Sequence, residues 1–324
     1  MGAINTVLSS TLETPRARKE LIFAQLRATV LSSFLMEKKR VELEDGGFEI
    51  TQPLVIGRNN NIAAYSYYDE LPVNQTSELT KLRYGFARVA GTVIISNQEE
   101  DENRGQSEVV KIAKAKIETL KVSIAERFGG EYFYGIGAGK NPNGLGLLIP
   151  DDPTTGTVGG IDRSTNEYWR TLSYQFNNTL DKTNISQAFR AVFLDMKAGK
   201  EEKPDGIIAG RNIYEMYADF LESKSSLAAS TFGTLTSTAD FGFEALKYGN
   251  VPVMYDPNCP DDKAYFINTR YLKLHVLRHV NMKVSKLSAP WIMDASGTRI
   301  TWQGQLCLWK ADRTQAVINN AATA

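Results

Sequence analysis

Apolar side chains recur along this chain with two periods, three-to-four and two, and the switch points between them lay out its elements. From Glu20 to Val41, Leu21, Ala24, Ala28, Leu31 and Leu35 repeat every three or four positions, the spacing of one helix face. Pro15 before this helix and Asp45-Gly46-Gly47 after it bound an N-terminal arm. The stripe suits packing on the chain's own core or on a neighbouring subunit, and the pattern leaves both open. From Phe48 the period becomes two. Phe48, Ile50, Gln52, Leu54 and Ile56 share one face of a strand, Gly57 to Asn61 with Arg58 inside it supplies a turn, and Ile62 to Asp69 returns with Tyr65, Tyr67 and Tyr68. This reads as a β-hairpin. A two-stranded ribbon is marginal alone in water, so it is expected to lie on something else, a second copy included.

Leu82 to Ser96 reads as a longer strand with Val89, Val93 and Ile95 on one face. The acidic run Glu99 to Glu102 then precedes the strongest helix, 107–128, where Val109, Ala113, Ile117, Leu120, Ile124 and Phe128 form a single stripe. At 1.5 Å per residue it is roughly 33 Å long, a spine across a flat domain. Gly129-Gly130 is expected to end it with a left-handed cap. Tyr134 to Ile161, rich in Gly, Pro, Asp and Thr, reads as a long ordered loop with one apolar insertion, Leu145 to Ile149, and loops of that length are usually functional. Asn184 to Lys197 (helix), Gly206 to Ala209 (buried strand) and Asn212 to Leu221 (helix) suggest an α/β module. Strand-like stretches follow at 251–255, 264–268, 271–279 and 299–309, and the final AVINNAATA reads as a loose tail.

Composition narrows the function classes. The 324 residues suffice for one large domain or two moderate ones. Lys plus Arg and Asp plus Glu balance at 37 each, which argues against a general binder of nucleic acid or anionic membrane and leaves only weak, local contact with DNA. Cys259 and Cys307, in loop-like and strand-like contexts, imply no disulfide framework. The N-terminus lacks the basic start and apolar core of a secretory leader, and no apolar run approaches the roughly 18 residues of a membrane span.

The candidate chemistry is thin. Gly135, Gly137 and Gly139 before Lys140 resemble a phosphate loop, but Tyr134 stands where the first glycine is needed and Asn141 where a hydroxyl is needed. The segment also follows a helix rather than a strand. His275 and His279 are four apart in an alternating stretch, so they are expected on a strand in a surface or interface role rather than as half a metal site. Asp151-Asp152 and Asp261-Asp262 read as turn punctuation. No Gly-x-Ser-x-Gly elbow occurs. No catalytic residue, metal site or cofactor is expected.

The order of parts and the local wording point elsewhere. Gln52-Pro53-Leu54, Asn97-Gln98-Glu99-Glu100, Gly144-Leu145-Gly146, and the run from Thr154 through Gly159-Gly160-Ile161-Asp162 to Trp169-Arg170 resemble the major capsid proteins of tailed bacteriophages. Their α+β Hong Kong 97 fold is shared with encapsulins. The resemblance in wording covers about 48–170, and in layout nearly the whole chain. It implies an N-terminal arm (1–47), an extended hairpin loop (48–81), a peripheral domain (82–183) with the spine helix, an axial α/β domain (184–285), and a return with a C-terminal tail (286–324). It implies that Phe48, Ile50, Leu54, Ile56, Arg58, Tyr65, Tyr67 and Tyr68 contact an adjacent subunit. It further implies homo-oligomeric hexamers and pentamers of a virion shell assembled in the host cytoplasm, packaged DNA held weakly, a portal, a separate scaffold or decoration protein, and no membrane. With about 47 residues before the hairpin, a long internal scaffold is not expected. With Arg58 at the turn and no lysine before Lys81, neither is lysine crosslinking of the loop. The rival readings are an encapsulin-like compartment shell and a soluble enzyme that binds a phosphate ligand.

Overall fold

The computed structural model describes residues 29–55, 61–71, 73, 79–96, 106–196, 202–231, 246–287 and 295–321. Its centre is a mixed six-stranded sheet of β7 (Leu172–Gln175), β15 (Ala316–Asn319), β11 (Lys263–Ile267), β8 (Gly206–Ala209), β10 (Val251–Tyr255) and β9 (Lys247–Tyr248), in that spatial order. Successive strand residues point to opposite faces, and here each face meets its own core. Ile207, Ala209, Ala264, Phe266, Ala316 and Ile318 join one cluster, while Ile208, Tyr265, Ile267 and Val317 join the other. A sheet covered on both sides needs near-continuous apolar runs, which is why β8 and β15 read GIIA and AVIN.

The first core lies under α4 (Ile185–Asp195) and α5 (Arg211–Thr231). Phe189 stacks on Tyr217 at 5.1 Å between centroids and meets Phe266 edge-on at 5.2 Å, both favoured ring geometries. The second core is closed by a five-stranded sheet built around β14 (Ala295–Leu308). That strand pairs antiparallel with β4 (Ala87–Ser96), β12 (Leu272–Leu277) and β13 (Lys283–Leu287), and β1 (Val41–Glu44) adds in parallel to β12. Helix α1 (Val30–Glu37) buries Leu31, Phe34 and Leu35, so this part of the arm packs on its own chain.

The spine is α2 (Gln106–Arg127), crossing β4. Ile117, Ile124 and Phe128 of the expected stripe are buried and Leu120 packs on the core; nothing is described of the side chains of Val109 and Ala113. Close approach needs a missing side chain: a Cβ on Gly91 would sit 2.7 Å from Leu120 Cδ1 and 3.1 Å from Ile124 Cδ1. Phe128 then meets Trp302 of β14 edge-on at 4.7 Å.

Several expectations are corrected. Helix 20–41 stops at Glu37, where Lys39 takes a left-handed backbone (φ 57°) and Val41 begins β1; its residues 20–28 lie outside the described ones. Gly129-Gly130 do not cap the spine. The chain runs through a π turn, Phe128–Tyr132, and a Cβ on Gly129 would lie 2.7 Å from the Asn258 side chain, which would have to shift to admit it. The expected strand 82–96 is two strands, β3 (Leu79–Gly85) and β4. The tail is not loose: β15 is an interior strand between β7 and β11, with Ile318 fully buried. The expected domain borders at 183/184 and 285/286 cut through both sheets, since β7 and β15 belong with β8 while β12 and β13 belong with β4.

Truncating Ile318 to Ala should therefore lower stability by about 2–4 kcal/mol, as for a buried aliphatic side chain. Equilibrium urea unfolding checks this, and an unchanged midpoint would place that residue outside the core.

Candidate assembly surfaces

A two-stranded ribbon stands apart from both sheets, formed by β2 (Glu49–Val55) and β3 with Ile50 opposite Tyr84, Gln52 opposite Leu82 and Val55 opposite Leu79. Its base is fixed. Leu82 and Tyr84 are buried, Ile50 and Leu54 pack partly on the core, and the Tyr84 hydroxyl donates to the Leu308 carbonyl at 2.8 Å. The edge of β3 is hooked by the glycine-rich loop, since Arg83 N–H donates to Gly159 O at 3.0 Å. Gly159 is at φ +62° and a Cβ there would meet Leu82 at 2.9 Å, so this close seat needs glycine.

The return arm of the hairpin is thus 79–85, not 62–69. Residues 62–69 form no strand. The tyrosines there imitate a strand, but the partner of β2 was fixed by Leu82 and Tyr84, which reach the core and pull the register with them. Of the residues expected to contact a neighbour, Phe48 is 94 % exposed and Tyr65, Tyr67 and Tyr68 are 71, 98 and 100 % exposed. Ile50 and Leu54 instead rest on the core, and Ile56 and Arg58 lie outside the described residues. Sequence reasoning missed Val55, Ile62, Leu71, Val73 and Leu79, all exposed on the same segment. Their signal was density: apolar residues far outnumber what a solvated loop needs.

At the base of the ribbon a cleft of roughly 510 Å³ opens between β3, β4 and the glycine-rich loop. Arg83, Arg88 and Lys140 line it, each exposed, with Phe86 and Leu147 also on its wall and no carboxylate among its lining residues. The loop that frames it is locked from within. Arg163, 1 % exposed, donates to the carbonyls of Leu147 (3.0 Å) and Leu148 (2.6 Å), the end of the one-turn helix α3 (Leu145–Leu148). Burial lowers the Arg163 guanidinium to about 10, the nearby Tyr84 opposing that in part. Trp169 Nε1 donates to Val158 O at 2.9 Å, and Asp152 and Asp162 close turns on Thr154 and Ser164. Asp152 and Asp162 are held low by those hydrogen bonds, which is the turn role expected of such residues.

The phosphate-loop reading gains nothing from this geometry. Gly137 and Gly139 lie between a π turn and a four-residue helix, so no long helix dipole points at Lys140. Both thiols are buried and pushed up by that burial, the reverse of a reactive cysteine.

His275 was expected at a surface or interface and is instead 3 % exposed on β12, while His279 is exposed in the turn beyond it. His275 Nδ1 donates to Glu44 Oε1 at 2.9 Å and its ring meets Trp309 edge-on at 5.2 Å. Beside it Lys273 Nζ donates to Glu42 Oε1 at 2.6 Å. Glu42, Glu44 and His275 bring three potential metal ligands within 4.8 Å. Lys273 already neutralises one of them, so the group acts as a clamp that fastens β1 to β12 in register. Burial raises the Glu42 carboxyl, but the Lys273 hydrogen bond and charge, helped by His275 and Arg40, outweigh it and leave the group below its ordinary 4.5.

Among the described residues no helix is long and apolar enough to cross a membrane. Comparison with known proteins then gives the surfaces a context. Residues 140–289 match the family model of the SU10 major capsid protein, overlapping the wording resemblance of 48–170 only at 140–170. No curated protein matches the sequence. Among solved structures, the cyanophage A-1(L) capsid subunit is similar with a TM-score of 0.61 at 13 % identity, covering 88 % of this chain and 91 % of that one. The capsid of the native GTA particle gives 0.55 at 12 %, covering 88 and 89 %. The SrpI encapsulin from Synechococcus elongatus PCC 7942 gives 0.51 at 10 %, covering 89 and 87 %. At such identities the likeness is one of fold.

A depressed carboxylate contributes stability that is complete above its unfolded value and is lost as pH falls through its folded value. Between pH 7 and pH 3 the parent should therefore lose more stability than Glu42→Gln, by less than about 1 kcal/mol because the side chain is partly solvated. Paired urea titrations at the two pH values measure the difference, and equal losses would show that the clamp carries no net energy.

Proposed function

We propose that this structural capsid-shell protein of the Hong Kong 97 fold works by assembly alone, its copies closing as hexamers and pentamers into an icosahedral phage head around double-stranded DNA. The family match over 140–289 and the capsid-like fold support the reading. The observation that carries it is the ribbon: a segment anchored at one end and studded with exposed Phe48, Val55, Tyr67, Tyr68 and Leu79. Exposed apolar side chains this dense, with Val55 directly opposite Leu79 at the far end, mark an interaction site. Draped over an adjacent subunit, it gains the burial that a two-stranded ribbon cannot supply for itself.

The remaining parts follow as proposals of the same kind. The six-stranded sheet with α4 and α5 supplies the axial part, and α2 with the β14 sheet supplies the peripheral part. Assembly takes place in the host cytoplasm and the product is the virion, with a portal at one vertex and a separate scaffold or decoration protein as partners. A formal net charge of zero lets many copies crowd without strong mutual repulsion. DNA inside such a shell is held by confinement and weak local contacts.

Negative-stain microscopy of the purified chain should show closed shells, and particles from the native source should carry DNA and a tail vertex; protein cargo without DNA would point to a compartment shell instead. Replacing Phe48, Val55 and Leu79 together by Thr keeps strand propensity and touches only exposed positions, so monomer stability should shift by no more than about 0.5 kcal/mol per site. Shell yield by sedimentation should nevertheless fall about tenfold or more, as when the anchors of an interface are removed. Normal shells from this variant would remove the ribbon from the interface.

A further inference from the structure

We infer that the basic cleft at the foot of the ribbon receives the acidic, tyrosine-bearing segment 65–70 of a second copy's ribbon. The inference rests on the assembly reading above and specifies which surface of the neighbour the ribbon engages.

Chemical match is the first argument. Arg83, Arg88 and Lys140 converge on a cleft without a carboxylate, and none of them has an ion-pair partner among the described residues. The segment Tyr65-Ser66-Tyr67-Tyr68-Asp69-Glu70 carries the complement in one short run. Asp69 and Glu70 are exposed there and form no salt bridge among the described residues. Guanidinium and carboxylate pair by parallel charge-assisted hydrogen bonds. Tyrosine faces attract cations, and Phe86 and Leu147 supply apolar wall for the rings.

Presentation is the second. Asp69 N–H donates to Ser66 O at 3.2 Å and Ser66 N–H donates to Asp69 Oδ2 at 2.8 Å, closing a turn with Tyr67 and Tyr68 at its centre. These two side chains are 98 and 100 % exposed. The closed turn orders the backbone that carries both tyrosines before any partner arrives, which reduces the ordering cost of binding.

Reach is the third. Arg83 and Gly85, at one end of β3, line the cleft, whereas the distal segment springs from the other end, beyond Val55 and Leu79. From Leu79 to Arg83, the first strand residue on the cleft, four steps at 3.3 Å per residue set the root of that segment roughly 13 Å away. The stem thus runs outward from its own cleft.

Charge exchange tests the pairing. Asp69→Asn, whose amide oxygen can still accept from Ser66 N–H, with Glu70→Lys, and separately Arg88→Glu with Lys140→Glu, should each leave the subunit's thermal melt in place and reduce sedimentable shells at least about tenfold, since the charge match is then lost or reversed. Combining all four changes should restore part of the yield. In parallel, a tagged copy with Glu70→Cys co-expressed with a copy bearing Asn141→Cys should give a disulfide-linked heterodimer within shells; the native Cys259 and Cys307 are both buried and give little background. Wild-type yield from both altered pairs, or no recovery in the combination, would overturn the cleft assignment while leaving the capsid reading intact. So would saturable binding of inorganic phosphate by the cleft without effect on assembly, which would make it a small-anion site. Failure of the parent chain to form shells would overturn both readings together.

Discussion

Pairing along the fourteen residues of Ala295–Leu308 sets the position of every surface on which assembly turns. On one side this strand holds β4 from Ser96 to Ala87, and on the other it holds β12 and then β13. The spine helix crosses β4 where Gly91 leaves room, and Phe128 at its end closes on Trp302 from the same long strand. Through β12 the strand indirectly fixes β1, and its Leu308 carbonyl receives the Tyr84 hydroxyl that pins the ribbon. A long strand is well suited to this because Gly297 to Thr301 and Gly304 pair on both sides at once, so displacing one element would disturb the pairing of another.

The ribbon poses the opposite problem. Its lower half is inside the core through Leu82 and Tyr84, while Val55 and Leu79 of its upper half stand exposed among the described residues. Exposed apolar residues scattered singly are ordinary on a protein surface. What distinguishes this segment is how many it carries between Phe48 and Leu79, among the described residues, on an element too thin to bury them. An isolated subunit tolerates that arrangement only because the base is firmly held, and the same firmness lets the upper half present side chains to a neighbour in a defined direction.

Much of this was legible in the letters. The stripe from Ile117 to Phe128 marked the spine, the change from period two to period three marked the strands and helices of the α/β module, and the glycine-rich run marked an ordered loop. Three features were not legible, for one reason. The return arm at 79–85, the interior strand at 316–319 and the burial of His275 each depend on a partner far away in sequence. Residues 62–69 resemble a strand locally, but register is decided by which residues reach the core. The tail AVINN has small side chains, a four-residue strand and two asparagines, too short to show a period; it is placed by β7 and β11 on either side. His275 has no periodic signal of burial because its partners, Glu42 and Glu44, belong to a strand more than two hundred residues earlier.

The separation of ribbon tip and cleft on one chain also bears on the symmetry of the product. Two copies that used the same patch on each other would complete a two-fold pair and stop there. A contact in which the end of one ribbon occupies the foot of the next is heterologous: each copy both gives and receives, and the series ends only when rotation closes it into a ring. A seven-residue stem between giver and receiver fixes the step between neighbours.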